Sequence, residues 1–441
     1  MKSTQLHWGQ MSVAGFLGNT WQRRPLLVRR FVDPAAVNAD LLSLADHAYS
    51  DRVPTRLIRQ RKARWSVVQG PVDRLPSLKT PGWTVLLQRM DCVHAQAYAL
   101  RNAFSFLPQV RIEDVMISVA SRGGGVGAHL DAYDVFLIQG RGRRRWRWGR
   151  QDDHTLVEHV ALRLLKHFEP AYEAILEPGD ALYLPPGWSH EGTALEPCST
   201  WSVGFRAPSR KEFLSFFLAE AADPVCGSDP RYTDPRTKVP RTTVPRTTVP
   251  RTTVAPTTVA PTTEPRATHP RATHPPTKRG SARIPIQLQE QLEDWALGYR
   301  PDRATLARAL GRFLTEPHAY AVFHHPSPAH DRQDFVRLIA GAGVQLAPAT
   351  RMAYTAGRLW INGEDAGKPG RLLRRLADLR VLEPRDLRIG ILSADASEKD
   401  ATAVEMKCKQ SVDFTPLIAS LYRWYGWGWL CPGQDPGMLN L

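Results

Sequence analysis

Residues 123–137 read Gly-Gly-Gly-Val-Gly-Ala-His-Leu-Asp-Ala-Tyr-Asp-Val-Phe-Leu, a glycine-rich loop followed by a run with the composition of a strand. Within it, His129 and Asp131 stand two positions apart. Residues i and i+2 of a strand point to the same face, so both side chains can reach one metal ion. The glycines lack the Gly-Lys-Ser/Thr ending of a phosphate-binding loop, and we interpret them as a flexible approach to the ligand strand.

A third candidate ligand, His190, follows much later, after a Pro-Gly turn at Pro178 and a short apolar run that ends at Leu184. Two imidazoles and one carboxylate can hold Fe(II) on one face and leave the opposite face open for a co-substrate and dioxygen. A barrel brings distant strands together and would let the three groups converge. The alternative is a surface pair without metal, because a lone His-x-Asp occurs by chance in many proteins.

Arg144 lies in the basic and aromatic run of residues 143–148. On an alternating strand it shares a face with Trp146 and Trp148, while the neighbouring arginines take the other face. The aromatic face is expected to be interior, so we predict that Arg144 is buried and grips the far carboxylate of 2-oxoglutarate through its planar guanidinium. The alternatives are a solvated strand edge and a nucleic-acid patch with interleaved aromatic residues.

Together these residues resemble the JmjC and cupin-like branch of the 2-oxoglutarate- and iron(II)-dependent oxygenases, and most closely the bacterial ribosomal oxygenases. The similarity extends to the Met116-Ile117-Ser118 strand and to residues 130–136, 142–147 and 202–208. It implies a metal site for Fe(II) and a co-substrate site for 2-oxoglutarate, with dioxygen as the other co-substrate. The implied metal ligands are His129, Asp131 and His190, and the implied 2-oxoglutarate residues are Arg144 and Ser118.

The resemblance also implies a reaction, because members of the family hydroxylate an arginine of the sixteenth large-subunit ribosomal protein. That protein is therefore the expected substrate. An iron site sets the chemistry and not the substrate, so a hydroxylase or demethylase of another protein or of nucleic acid stays open. A non-catalytic, cupin-like metal-binding module is a third interpretation, and the intact triad with Arg144 argues against it. Tyr133 either lines the substrate pocket or packs in the barrel.

The expected fold class is α+β. Strand-like runs separated by Pro-Gly and glycine-rich turns continue through residues 1–208, a pattern typical of an antiparallel jelly roll. The resemblance identifies this core as a double-stranded β-helix of the JmjC type. Residues 93–106 are predicted to form a helix, with Asp91 as a candidate cap at its start.

A low-complexity segment divides the rest of the chain. Across residues 228–282, repeats such as Val-Pro-Arg-Thr-Thr place a proline about every five residues, which blocks helix and sheet. We interpret this segment as a disordered linker; a proline-rich docking ligand or a basic RNA tether is the alternative.

Helical patterns flank the linker in residues 209–227 and 283–325, at 211–218, 286–295 and 303–315. The resemblance implies that they form a dimerisation module and that the protein is a homodimer; an intramolecular bundle is the alternative. Residues 326–441 are expected to form a winged-helix-like domain with a hairpin at 359–364. That domain either binds nucleic acid or serves protein interaction or structure, because the arginines at 371, 374 and 375 could simply form a solvated helix face.

Composition bounds the setting. The 441 residues carry a net charge of +15 and a pI near 9.9, which suits work beside ribosomal RNA or a basic ribosomal protein tail. The sequence has no apolar run of about twenty residues and no apolar signal core near Met1, so we expect no membrane span and a cytoplasmic location. The five cysteines are scattered without Cys-x-x-Cys spacing and are expected to be free thiols.

Overall fold

The computed structural model describes residues 4–61, 64–205, 209–221, 302–387 and 416–433. The predicted linker, the predicted helix over 286–295, Cys226 and Cys408 lie outside these residues. Cys92, Cys198 and Cys431 carry free thiols. No helix within the described ranges has the length and apolar character needed to cross a membrane.

Two antiparallel sheets build the N-terminal domain. Their strands are β1 (Leu26–Val28), β2 (Thr55–Arg61), β3 (Arg64–Gln69), β4 (Trp83–Leu87), β5 (Ile112–Ala120), β6 (His129–Leu130), β7 (Asp134–Gln139), β8 (Arg144–Gly149), β9 (Tyr172–Leu176), β10 (Ala181–Leu184), β11 (Ser189–Ala194) and β12 (Cys198–Phe205). The larger sheet has the order β1-β10-β7-β12-β5-β4-β2-β3, and the smaller sheet has the order β6-β11-β8-β9. Strands distant in the chain are neighbours in both sheets, which confirms the predicted jelly roll.

Strand β7 shows how the two faces of the larger sheet are used. All six of its residues are buried, as expected for a central strand covered on both sides. Phe136 and Ile138 belong to the main hydrophobic core, whereas Val135 and Leu137 pack with Trp146 of the smaller sheet. The interior between the sheets is therefore apolar at this end and is left for a cavity at the other.

Three helices cover the outer face of the larger sheet and contribute to the main core, namely α1 (Val13–Asn19), α2 (Leu41–Asp46) and α3 (Ala95–Ala103). Helix α3 is the one predicted over 93–106. The prediction that Asp91 caps it is wrong, because the N-cap position is His94, whose side chain makes no capping hydrogen bond. The Asp91 carboxylate is buried instead; it accepts a hydrogen bond from the Val115 N–H at 3.1 Å and lies 3.3 Å from Arg101 Nε.

Two further helices follow the jelly roll, α4 (Arg210–Ala221) and α5 (Arg303–Thr315). They lie in the segments predicted to be helical, and α5 has the predicted bounds. Phe213 and Phe216 of α4 pack on Phe313 of α5, with ring centroids 5.7 and 5.3 Å apart. An aromatic contact thus joins the two helices on either side of the predicted linker.

The C-terminal domain combines three helices with two small sheets. Its elements are α6 (Arg332–Ala342), β13 (Val344–Leu346), β14 (Met352–Tyr354), β15 (Leu359–Ile361), β16 (Glu364–Asp365), α7 (Arg371–Leu379), β17 (Val381–Leu382), α8 (Pro416–Gly426) and β18 (Leu430–Pro432). The predicted hairpin is confirmed, since β15 pairs with β16 across Asn362 and Gly363. Both turn residues have positive φ, the conformation that two-residue hairpin turns favour.

Candidate metal and co-substrate site

His129, Asp131 and His190 converge between the two sheets. Antiparallel pairing of β6 with β11 sets His129 directly opposite His190, and Asp131 comes one residue after β6 ends. One ligand atom from each residue lies within 4.8 Å of the other two, and the two imidazole centroids are 4.3 Å apart. Sequence separations of 2 and 59 residues are therefore closed by one strand pair.

Backbone carbonyls orient both imidazoles. His129 Nδ1 lies 3.0 Å from the Gly127 carbonyl oxygen, and His190 Nδ1 lies 2.9 Å from that of Trp188. A carbonyl oxygen can only accept, so each Nδ1 donates its N–H and each Nε2 retains a lone pair for a metal. Burial and the neighbouring His129 lower the pKa of His190 to about 4, so this ring is neutral at physiological pH.

The same geometry leaves like partners facing each other. His190 Nε2 lies 3.6 Å from the Asp131 carboxylate. A nitrogen lone pair and an anionic oxygen at that distance repel each other unless a cation lies between them. The donor set is thus arranged for a cation.

Arg144 is buried on the face of β8 that it shares with Trp146 and Trp148, as the alternation predicts. Its Nη1 donates a hydrogen bond to Ser118 Oγ at 3.1 Å, whereas Nε and Nη2 are buried without a partner among the described residues. Each buried donor left unpaired costs about 1–3 kcal/mol. A guanidinium presented in this way is suited to receive an anion.

One cavity of about 1320 Å³ unites the predicted site. It is lined by all six residues singled out from the sequence, which are Ser118, His129, Asp131, Tyr133, Arg144 and His190. Tyr133 is 39% exposed, so it lies at the cavity wall rather than in the barrel core. Burial and the nearby Asp131 and Asp114 carboxylates raise the pKa of its hydroxyl, which therefore stays protonated.

Two acidic residues that the sequence analysis missed also line this cavity, Glu113 and Asp114. Asp114 accepts a hydrogen bond from the Arg89 N–H at 3.0 Å, and burial together with Asp91 raises its pKa to about 7. A signal existed, because residues 114, 116 and 118 alternate along β5 onto the face that carries Ser118.

The C-terminal half of the chain completes the rim. His318 and Tyr320, which follow α5, line the cavity with Glu212 of α4. His318 Nε2 lies 3.6 Å from Glu113 Oε1, and Arg351 Nη2 lies 3.9 Å from Glu113 Oε2. No local sequence pattern reveals these residues, since they reach the cavity only through the packing of one domain on another.

Two family models match the chain. The JmjC domain matches residues 99–213, and the ROXA-like winged helix matches residues 290–391. The second match reaches into the segment that the sequence analysis assigned to the helical module, so the predicted domain boundaries stay predictions.

Curated relatives match the N-terminal half. Ribosomal protein uL16 3-hydroxylase of Escherichia coli K12 is 42% identical over 207 residues, which are 46% of this chain and 54% of that protein. A probable ribosomal oxygenase of Haemophilus influenzae is 32% identical over 220 residues, 49% of this chain and 54% of that protein. In these alignments the chain spans about half the length of the curated relatives it matches.

A solved structure is similar over nearly its whole length. It is that of YcfD, a ribosomal oxygenase from E. coli in complex with cobalt and 2-oxoglutarate, which aligns with a TM-score of 0.67 and 27% identity. The alignment covers 97% of this chain and 99% of that one. The similarity therefore includes the C-terminal part of the fold as well as the jelly roll.

Proposed function

Because this chain belongs to the JmjC-type ribosomal oxygenases, we propose that it is a 2-oxoglutarate- and Fe(II)-dependent hydroxylase of a ribosomal protein. We propose further that it acts on an arginine of uL16, the sixteenth large-subunit protein. One observation carries the proposal: the His129, Asp131 and His190 cluster shares a cavity with a buried guanidinium that has two unpartnered donors among the described residues.

The donor set fits Fe(II). Two neutral imidazoles and one carboxylate are the ligands that non-haem Fe(II) oxygenases use, and they leave positions open opposite the protein. When bound, Fe(II) with 2-oxoglutarate and dioxygen supplies the oxidising chemistry. The carbonyl oxygens of Gly127 and Trp188 hold the two rings with their Nε2 atoms available, which sets the ligand geometry in advance.

Arg144 and Ser118 are the residues that would hold the co-substrate. The Arg144 guanidinium can pair with a carboxylate through Nε and Nη2 while Nη1 stays on Ser118. The Trp146 ring, 5.9 Å from the guanidinium carbon, limits where the co-substrate can lie. These residues bind and orient, and the buried position of Arg144 excludes water from the pair.

Acidic groups in the cavity favour a cationic target side chain. Asp114 lies on the cavity face of β5 and Glu113 lies beside it, so the wall next to the metal ligands is rich in carboxylates. A guanidinium can pair bidentately with such a carboxylate, whereas the phosphates of a nucleic acid would be repelled. This supports an arginine substrate over the alternative of a nucleic-acid hydroxylase. Tyr133 would flank the side chain.

Mass spectrometry tests the proposal. The full chain with Fe(II) and 2-oxoglutarate should make a uL16 peptide heavier by one oxygen atom, and a peptide with lysine at the target position should stay unmodified. Cells that lack the gene should lose the heavier form of uL16. An unchanged mass for every ribosomal protein would refute the substrate assignment. Full substrate-dependent decarboxylation by His129→Ala, Asp131→Ala or His190→Ala would refute the site.

A further inference from the structure

A second cavity, of about 420 Å³, lies between the β2–β3 hairpin and the loop of residues 74–82. It is lined by three arginines and two hydroxyl side chains, which we call the basic groove: Arg59, Arg61, Arg74, Ser77 and Thr80. The described residues that line it include no aspartate or glutamate. The groove is therefore a concave surface with only cationic and neutral polar groups to offer.

Strand alternation separates the basic groove from the proposed active site. Arg56 and Ile58 of β2 line the large cavity, whereas Leu57, on the opposite face of the strand, belongs to the outer core. Arg59 and Arg61 share the face of Leu57 and extend it beyond the helices. The groove thus lies on the outer side of the larger sheet, and its ligand would not enter the metal site.

Charge is concentrated here at a structural cost. Residues 52–80 contain eight lysines and arginines and one aspartate. Arg61 pairs directly with Arg64 across the hairpin, and like charges in that position are destabilising. Arg59 Nε is buried and has no hydrogen-bond partner among the described residues. Such costs are retained where an anion offsets them.

Protection of a sheet edge does not account for this arrangement. Charged side chains on an edge strand discourage pairing with other chains, and Arg64 on β3 can serve that purpose. Arg59 and Arg61, however, are on β2, which is paired on both sides, and Arg74 is on a loop. These three side chains converge on the groove rather than line the edge.

We propose that the basic groove binds the phosphodiester backbone of RNA. Guanidinium groups and hydroxyl donors are the protein groups that contact phosphates, and contacts of this kind position a protein without reading sequence. The choice of RNA over an acidic peptide rests on the proposed function, because a ribosomal protein substrate has RNA as its natural neighbour. The groove would hold that RNA while the large cavity receives the side chain.

The salt dependence of RNA binding tests this proposal. Each phosphate that the protein no longer neutralises should lower the slope of log K against log salt by about 0.7–0.9. We expect Arg59→Gln/Arg61→Gln/Arg74→Gln to lower that slope by about 2 to 3 in a titration of fluorescein-labelled RNA, and to weaken binding at least about tenfold at low salt. The milder pair Arg61→Gln/Arg74→Gln should lower it by about 1 to 2 if the triple variant does not fold.

A matched variant separates a site from general charge. Arg24, Arg371 and Arg385 are exposed and lie away from the groove, so their replacement by glutamine removes the same net charge. This control should keep the wild-type slope. Equal losses in both triple variants, or wild-type binding by the groove variant, would overturn the proposal. It would also fail if the groove variant lost binding to polyglutamate or to anionic vesicles but kept RNA.

Hydroxylation of a short uL16 peptide is measured in parallel. The groove variant should retain wild-type turnover, because the groove is on the other face of the sheet. Loss of RNA binding with intact turnover supports the groove as a separate site. A wild-type protein that binds RNA through the groove but hydroxylates no ribosomal protein would refute the proposed function and leave the groove in place.

Discussion

Arg144 Nη1 donates a 3.1 Å hydrogen bond to Ser118 Oγ, and this bond joins the two sheets, since Arg144 is on β8 and Ser118 is on β5. The remaining Nε and Nη2 donors have no partner among the described residues. The serine fixes one arm of the guanidinium and leaves the other two for a carboxylate. The jelly roll therefore presents a preorganised anion site beside the three metal-ligand candidates.

Replacing Arg144 with lysine should raise the KM for 2-oxoglutarate by about 10- to 100-fold, because a lysine offers no planar fork. Ser118→Ala should raise it by about 2- to 10-fold, since one neutral hydrogen bond is removed. Both are measured by decarboxylation at varied 2-oxoglutarate. Arg143→Lys is the control, because Arg143 is exposed and paired with Glu196. An equal effect at Arg143 would show that only general charge matters.

Binding of a cationic substrate should improve as pH rises through about 7. Burial and the Asp91 charge raise the pKa of Asp114 to about 7, so its carboxylate becomes charged, and able to pair with a guanidinium, above that pH. The KM for a uL16 peptide should fall between about pH 6 and 8 in the wild type. Asp114→Asn should raise KM at the upper end of this range and abolish the trend, whereas Asp152→Asn, an exposed carboxylate, should keep it. A persistent trend in Asp114→Asn would place the titrating group elsewhere.

Local patterns predicted what depends on one strand, and missed what depends on packing. The burial of Arg144 follows from alternation with two tryptophans, and the structure agrees. Asp114 follows the same rule along β5, but the resemblance drew attention only to Ser118. His318 could not be predicted, because it reaches Glu113 from a separate domain 205 positions later in the chain. Asp91 was misassigned because buried pairing with Arg101 is a long-range effect that outweighs a local capping pattern.

The free energy of unfolding should fall in acid partly because of His94. Burial, followed by the charge of His47, lowers the pKa of His94 to about 4 in the folded state, against 6.5 for an ordinary histidine. Below that ordinary value the unfolded chain binds the proton first, so stability present at neutral pH is lost as pH falls toward about 4. This group should account for about 2 kcal/mol of the loss between about pH 8 and 5. Urea denaturation of His94→Gln should show a smaller difference between the two pH values. Exposed His154, replaced by glutamine, should leave the wild-type difference in place.

The docking of α5 on the C-terminal domain depends on Gly311. A Cβ at this position would overlap the Trp360 ring, which is buried on β15. A second contact lies one turn later, where Thr315 Oγ1 donates to the Gly311 carbonyl at 2.8 Å and accepts from the Gly363 N–H at 3.1 Å. The helix can therefore approach the sheet only because residue 311 has no side chain.

Gly311→Ala should lower the free energy of unfolding by about 1–3 kcal/mol, because the helix or the tryptophan must move. Gly341→Ala is the matched control: Gly341 is an exposed glycine within α6, and a Cβ added there would meet no other atom within 4 Å. Alanine there should raise the free energy of unfolding by about 0.5–1 kcal/mol through helix propensity. Urea midpoints measured at constant slope distinguish the two. If both alanines stabilise the protein, α5 does not pack on Trp360 as closely as the structure places it.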